Sequence, residues 1–211
     1  MNPPPDKSHP ALDAAYWGQR YQQGQTGWDL RGPAPALTWL VEKGLFPVSP
    51  PASILVPGCG YGHDAFYLAT RGYSVTAIDW APEALSALQA LAPPNLRLLC
   101  TDFFEYAKTP SERYDAVWEY TFYCAIDPIL RPAYFAALHT LLKAGGYWVA
   151  LLFPLESQPY ETGPPFAIGW DEVQTLSKRY GLRYLKVFPE APSHPARQGR
   201  ESLVLFERHP Y

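Results

Sequence analysis

One stretch, residues 54–79, restricts the fold more than any other part of the chain. It reads ILVPGCGYGHDAFYLATRGYSVTAID. An apolar run leads into a glycine cluster, an amphipathic segment follows, and a second apolar run ends on Asp79. This order indicates a strand, a glycine-rich turn, a helix and a second strand. Such a unit belongs to a parallel sheet and lets the backbone approach a ligand closely at the carboxyl edge.

The rest of the chain continues this alternation. Five strand-like segments are separated by helix-like segments, and they read SILVP, SVTAID, LRLLCTD, YDAVWEYT and YWVALLFP. This alternation predicts a parallel sheet covered by helices on both faces. Two further β-like runs, LRYLKVF and SLVLFER, have no helix between them and predict an antiparallel hairpin at the sheet edge. The expected class is therefore α/β, a Rossmann-like, doubly wound, seven-stranded and mostly parallel sheet.

The prolines and glycines indicate where the predicted helices begin and end. Helices are expected over residues 34–45, over residues 63–72 up to Gly72, and from Pro82, which can occupy a first helical turn. The segment RPAYFAALHTLLKAGG predicts a helix that is ended by its two glycines.

Length and composition predict one domain. A chain of 211 residues with 47% hydrophobic content can bury one sizeable core. We expect an N-terminal lid segment, 1–33, and a Rossmann-like core, 34–211. A net charge of −3 and scattered basic residues argue against nucleic acid as a partner.

The cellular setting is predicted from what the sequence lacks. The N-terminal segment MNPPPDKSHPALD has no apolar core of signal-peptide length, and no window approaches a membrane span. Three scattered cysteines predict free thiols without a disulfide or a metal site. A soluble, cytoplasmic protein is expected, with a monomer favoured, no membrane partner and no metal.

The glycine spacing and Asp79 predict the type of cofactor. An acid at the end of the second strand can accept hydrogen bonds from both hydroxyls of a ribose. The dinucleotide fingerprint G-x-G-x-x-G, started at Gly58, requires glycine at position 63, where His63 stands. The glycines follow G-x-G-x-G instead, with Gly60 and Gly62. An adenosine-containing cofactor is expected, and a nicotinamide oxidoreductase is disfavoured.

A second acid, Asp102, ends the third strand with Phe103 beside it. A carboxylate can accept a hydrogen bond from the exocyclic amine of adenine, and an aromatic ring can cover a base face. Asp102 could equally cap the following helix. The residues alone leave both interpretations open.

The segment VPGCGYGHD indicates which group of methyltransferases the sequence resembles. Most seven-stranded methyltransferases carry an acid two residues before the first glycine, whereas this chain has Val56. This segment resembles the halide and thiol methyltransferase branch of the thiopurine S-methyltransferase superfamily. Three other segments agree with that branch and stand in the expected order over residues 16–168, namely YWGQRYQQGQTGWD, EYTFYCAIDPILRPAY and GPPFAI.

This resemblance implies an enzyme that uses S-adenosyl-L-methionine, with Gly58 and Gly60 close to that cofactor. It implies a lid in which Trp17, Tyr21 and Trp28 lie over the sulfonium, whose positive charge aromatic faces favour. Tyr21 departs from a tryptophan common in plant members but keeps an aromatic ring. Without the resemblance, an ordinary amphipathic helix that packs its aromatic residues into the core remains open.

The acceptor pocket is expected at the carboxyl edge, near Tyr120 and Phe122. The resemblance puts Tyr120 near the cofactor as well, and it puts Phe166 in the pocket, where plant members usually have tyrosine. The predicted reaction moves a methyl group by in-line displacement to a small soft nucleophile, namely a halide, bisulfide, thiocyanate or a small thiol. Burial of such an anion in an aromatic pocket needs no general base, and no catalytic residue is assigned.

Six other residues have less definite roles. His63 most simply opens a helix, although it could act as a base, and Cys59 and Cys124 are expected to pack as small apolar groups. Arg197 and Arg200 are expected in a solvated turn, unless one of them draws anions to the pocket mouth. His194 has no assigned role.

Two other functions remain open at this point. One is methylation of a larger aromatic thiol, as in the thiopurine branch. The other is a non-catalytic module that binds S-adenosylmethionine without turnover.

Overall fold

The computed structural model describes residues 12–156 and 163–209. Within them, helices run over Ala14–Gln22 (α1), Pro35–Glu42 (α2), His63–Thr70 (α3), Pro82–Gln89 (α4), Phe103–Lys108 (α5), Arg131–Leu141 (α6) and Trp170–Arg179 (α7). Strands run over Ser53–Pro57 (β1), Ser74–Asp79 (β2), Leu96–Cys100 (β3), Tyr114–Tyr120 (β4), Leu142–Leu152 (β5), Leu182–Val187 (β6) and Ser202–Arg208 (β7). Short 3₁₀ turns cover Pro128–Leu130 and Pro195–Arg197.

The seven strands form one sheet in the order β3-β2-β1-β4-β5-β7-β6. Strands β1 to β5 are parallel, and β7 is antiparallel to both β5 and β6. The predicted fold class and the C-terminal hairpin are confirmed. The last strand of the chain lies inside the sheet, and β6 forms the edge.

Two predicted helix ends differ from the structure. The helix expected over 34–45 ends at Glu42, because Gly44 adopts a left-handed conformation with φ +65°. The helix expected to end at a glycine pair ends at Leu141, and Gly145 and Gly146 already belong to β5. There the pairing of β4 with β5 shifts register, so the glycines form an irregular part of the ladder instead of a helix end.

The sheet separates two apolar clusters. Helices α5, α6 and α7 cover one face, with Tyr134 and Phe135 fully buried. Helices α2, α3 and α4 cover the other face, with Leu37 and Leu68 fully buried. Helix α1 lies outside these layers and contacts α4. None of the described helices is long and apolar enough to cross a membrane.

The predicted lid, 1–33, is described from Leu12 onward. Residues 1–11 of that segment lie outside the described residues, as do 157–162 and 210–211 of the predicted core.

Candidate active site

The glycine-rich turn between β1 and α3 has an unusual backbone. Gly58, Gly60 and Gly62 have φ values of +54°, +56° and +74°, a region that side chains with a Cβ rarely adopt. A Cβ on Gly58 would also lie 2.3 Å from Cδ2 of Phe122. The turn therefore needs glycine at 58 both for its conformation and for the close approach of the turn after β4.

Asp79 ties this turn to the end of β2. Its Oδ2 accepts a hydrogen bond from the Gly60 amide at 2.8 Å, and its Oδ1 accepts one from the Ala81 amide at 2.9 Å. Burial raises the pKa of the carboxyl group, and the backbone amides oppose that shift. An ionised carboxylate has about four acceptor positions, so both oxygens can still accept a further hydrogen bond.

A cavity of about 690 Å³ opens at the carboxyl ends of the parallel strands. Its wall combines the glycine turn, the ends of β2, β3 and β4, the lid and the loop before β7. The residues that the sequence predicted for the cofactor and that line it are Trp17, Tyr21, Trp28, Gly58, Asp79, Asp102 and Phe103. The fold therefore brings together residues spread over most of the chain.

Both interpretations of Asp102 are compatible with its position. Its Oδ1 accepts a hydrogen bond from the Glu105 amide at 2.7 Å and so caps α5. The same side chain lines the cavity, beside the buried ring of Phe103. Trp80, which the sequence motifs did not single out, adds a 39% exposed indole to this wall directly after Asp79. Trp80 could have been found from the sequence, because it is a large apolar residue directly after Asp79, the acid predicted to bind the ribose.

The aromatic residues of the predicted lid form a cluster beside the glycine turn. The Trp28 ring makes edge contacts with Trp17 and with Tyr21, both with centroids 5.4 Å apart. A Cβ on Gly60 would lie 3.4 Å from the Tyr21 hydroxyl and 3.8 Å from the Trp28 Nε1. In α1 itself only Gly18 is buried, so these rings pack over the turn and not into the central core.

Polar contacts fasten the chain after the lid helix. His63 Nε2 lies 3.0 Å from the Asp29 Oδ1, which also accepts a hydrogen bond from the Arg31 amide. Asp64 accepts hydrogen bonds from the Ala34 amide and from the Trp118 indole, both at 2.7 Å. His63 does begin α3 as predicted, and it also joins α3 to the lid.

Two of the three cysteines, Cys59 and Cys124, have thiols whose protonation is set by burial. Burial raises the pKa of Cys59 well above its usual range and that of Cys124 to about 12, so both thiols are neutral. Cys124 is 3% exposed and packs in the turn after β4, as expected for a small apolar group.

The three residues predicted for the acceptor pocket occupy different positions. Phe122 lines the large cavity. Tyr120 lines a separate, smaller cavity of about 60 Å³ beside Gly60, and its hydroxyl donates to Glu201 at 3.1 Å. Phe166 is 1% exposed and packs against Gly163, while Pro164 and Pro165 face the large cavity in its place. The Phe166 ring is thus buried next to residues that line the cavity and does not line the cavity itself.

Arg197 differs most from its sequence expectation. It is only 4% exposed and lines the large cavity, although a solvated turn was expected. The guanidinium carbon lies 4.8 Å from the ring centroid of Tyr120 and 4.6 Å from that of Phe153. Its Nη2 donates to the Trp28 carbonyl at 2.7 Å, while its Nη1 is buried without a hydrogen-bond partner among the described residues.

The neighbours of Arg197 behave more as expected. Arg200 is exposed and pairs with Glu156 at 2.7 Å. His194 Nδ1 accepts from the Ala196 amide and caps the 3₁₀ turn. No local sequence pattern separates the buried arginine from the exposed one, because only the tertiary fold brings Tyr120 and the Trp28 carbonyl beside Arg197.

The fold and this site define an S-adenosylmethionine-dependent methyltransferase. One similar solved structure is a Burkholderia thailandensis 1,6-didemethyltoxoflavin-N1-methyltransferase with bound S-adenosylhomocysteine. It is 19% identical with a TM-score of 0.73, and the match covers 99% of this chain and 93% of that one. The residues present fit the cofactor, since Asp79 lines the cavity and each of its two oxygens keeps a further acceptor position.

The chain belongs to the thiopurine S-methyltransferase (TPMT) family, which matches residues 12–209. An Arabidopsis thaliana protein named probable thiol methyltransferase 2 is 31% identical over 197 residues, covering 91% of this chain and 84% of that protein. A Nitrosospira multiformis thiopurine S-methyltransferase is 28% identical over 202 residues, covering 88% and 90%. The predicted family is confirmed, and with it the cofactor and the methyltransferase activity.

Proposed function

We propose that this methyltransferase transfers a methyl group to a small sulfur nucleophile that binds as an anion, such as a thiolate, bisulfide or thiocyanate. Halides are candidate acceptors as well, above all iodide, which is the softest of the common halides. The observation that carries the proposal is the buried Arg197, which lines an otherwise largely apolar cavity. A buried cation favours an anionic ligand because the surroundings screen its charge poorly.

The cofactor side of the site has separate proposed roles. Gly58 and Gly60 allow the backbone to approach the cofactor, and Asp79 accepts hydrogen bonds from the ribose. Asp102 and Phe103 hold the adenine. In the lid, Trp17, Tyr21 and Trp28 cover the sulfonium. Tyr120 lines the smaller cavity together with Gly60, and this places it near the cofactor.

Methyl transfer from this cofactor requires few catalytic groups in the acceptor pocket. The cofactor supplies a methyl group bound to a positively charged sulfur. When the methyl group is transferred, the rest of the cofactor departs as a neutral thioether, which is a good leaving group. The protein has to hold the acceptor about 3 Å from the methyl carbon and exclude water. An acceptor that arrives as an anion does not have to lose a proton before it attacks, so no general base is needed. Phe122 is proposed to form the pocket wall, with Phe166 supporting it.

A larger, aromatic thiol is the second candidate acceptor. The cavity of about 690 Å³ has an apolar rim that includes Ile129, 80% exposed, and Leu130, 40% exposed. A halide or bisulfide does not need such a rim, whereas an aryl group could pack against it.

The setting of the reaction remains a proposal as well. Cys59, Cys100 and Cys124 are free thiols, which fits a reducing compartment such as the cytoplasm. We propose a monomer that acts on small molecules and not on nucleic acid or membranes.

The test compares Arg197→Lys with Arg197→Gln. Both variants keep a donor for the Trp28 carbonyl, but only lysine keeps the charge. Release of S-adenosylhomocysteine is measured with thiocyanate, bisulfide, iodide and thiophenol, and binding of S-adenosylhomocysteine is measured by calorimetry. We expect Arg197→Gln to lower kcat/KM for the anions about 10- to 100-fold, the loss of one charged hydrogen bond, while Arg197→Lys keeps most of it.

Equal activity of the two variants would contradict an anion-binding role for Arg197. Turnover of thiophenol alone would favour the aromatic-thiol candidate. Binding of S-adenosylhomocysteine without turnover of any acceptor would favour the non-catalytic module.

A further inference from the structure

The turn after β4 forms one wall of the large cavity. Its residues that line the cavity are Thr121, Phe122, Cys124, Ala125 and Ile126. The backbone of Thr121 has φ +65°, a left-handed conformation that a β-branched residue rarely adopts. Something outside the turn must therefore hold it in this shape.

Glu119, near the end of β4, makes the contacts that hold the turn. It is 1% exposed, and its Oε1 accepts hydrogen bonds from the Phe122 amide at 2.9 Å and the Tyr123 amide at 2.8 Å. Its Oε2 accepts one from the Tyr134 hydroxyl at 2.7 Å, and that hydroxyl in turn accepts from the Trp148 indole at 3.2 Å. One side chain thus links the turn to α6 and β5.

Phe122 connects this turn to the cofactor side. Its ring lies against Gly58, where an added Cβ would be 2.3 Å from Cδ2, and its centroid lies 5.2 Å from that of Phe103. A shift of the turn would move Phe122 relative to both halves of the site.

We propose that Glu119 is a positioning residue for methyl transfer, which fixes Phe122 and the turn 121–126 against the glycine-rich turn. The inference rests on the proposed function, because it takes this wall to be the acceptor site. Glu119 does not line the cavity, so it acts through the turn and not by contact with the acceptor. Misplacement of a reacting group by about 1 Å can cost on the order of 100-fold in rate.

The protonation of Glu119 provides a readout. Burial raises the pKa of this carboxyl group to about 7, against the three hydrogen bonds that favour its charged form. The titratable groups near it are Tyr134 on α6 and Tyr123 and Cys124 in the turn, all neutral near pH 7 because burial raises their pKa values. A neutral acid accepts hydrogen bonds from the two amides less strongly, so the turn is held less firmly below pH 7.

The experiment compares the wild type with Glu119→Gln and Tyr134→Phe. Glutamine keeps an oxygen for the two amides but has no charge, and Tyr134→Phe removes only the hydroxyl donor. Thiocyanate and iodide are the acceptors, because neither titrates between pH 6 and 9. For the wild type we expect KM for the acceptor to rise as pH falls through about 7. For Glu119→Gln we expect a KM about 5- to 10-fold higher at pH 8 that does not change with pH.

The control readouts separate positioning from general damage. Binding of S-adenosylhomocysteine should change less than about twofold in both variants. Tyr134→Phe should move the midpoint of the KM profile to higher pH, because the charged form of Glu119 loses a donor, and its KM should approach the wild-type value as pH rises to 9. A KM for Glu119→Gln equal to that of the wild type at every pH would overturn the inference.

A second measurement tests the role of Glu119 if the proposed function itself is wrong. If the wild type methylates neither anion, the positioning is read from hydrogen exchange of the Phe122 and Tyr123 amides. Faster exchange in Glu119→Gln at pH 8, with unchanged exchange in β1, would support the inference, and unchanged exchange at both amides would overturn it.

Discussion

Replacing Gly58 by alanine tests how closely the two halves of the site approach each other. Two costs are expected. The left-handed φ of +54° costs alanine about 1–2 kcal/mol relative to glycine. The new Cβ would lie 2.3 Å from Cδ2 and 2.8 Å from Cβ of Phe122, and relief of such overpacking costs about 1–3 kcal/mol. The free energy of unfolding should therefore fall by about 2–5 kcal/mol.

Two other glycines serve as matched controls. Gly24 has φ +66° with nothing within 4 Å of the position that a Cβ would take, so Gly24→Ala reports the backbone cost alone. Gly60 has φ +56° and only ordinary contact distances, 3.4 Å to Tyr21 and 3.8 Å to Trp28. Both should lose about 1–2 kcal/mol in the same buffer.

The free energy of unfolding of all three variants is measured by urea unfolding at pH 8. Gly58→Ala should lose at least about 1 kcal/mol more than Gly24→Ala, the lower limit for overpacking. It should also weaken binding of S-adenosylhomocysteine, since Gly58 itself lies in the glycine-rich turn that lines the cofactor side of the cavity. A difference of less than about 0.5 kcal/mol between Gly58→Ala and Gly24→Ala would refute the reasoning, because it would mean that Phe122 gives way freely.

Two further predictions concern pH and the lid. Because the pKa of Glu119 is raised from 4.5 to about 7 in the folded state, its contribution to stability is fully present below pH 4.5 and is lost as pH rises to about 7. The free energy of unfolding should fall by about 3 kcal/mol over that range, and urea unfolding of Glu119→Gln should lack this component. His63→Ala removes the 3.0 Å contact with Asp29 and should speed trypsin cleavage after Arg31 about two- to fivefold. His194→Ala, in the loop before β7, should leave that cleavage rate unchanged, and equal rates for both variants would count against the contact.

The parts of the fold predicted from sequence are those determined by local pattern. Buried parallel strands require consecutive apolar residues, and SILVP and SVTAID supply them. The glycine spacing and Asp79 are close in sequence to the strands that position them, so the cofactor edge could be expected from short segments. The start of β5 at Leu142 could not, because it depends on a register shift against β4.

The acceptor side depends on contacts between distant segments. Arg197 becomes buried only when Tyr120 and Phe153 pack against it, and no short sequence segment contains all three. Glu119 did give a signal, since an acid in the apolar run AVWEY must find partners if that strand is buried. Which partners it finds is decided by the turn and by α6.

The contact between Arg197 and Trp28 joins residues 169 positions apart. At a synthesis rate of about 5–20 residues per second, the ribosome makes the lid roughly 10–30 s before it makes the arginine. Because β7 lies between β5 and β6, the loop that carries Arg197 takes its position only when β7 enters the sheet. The segment that holds Trp28 thus leaves the ribosome long before the contact that secures it can form. A nascent chain can form the glycine turn early, yet Trp28 has to wait for the loop before β7.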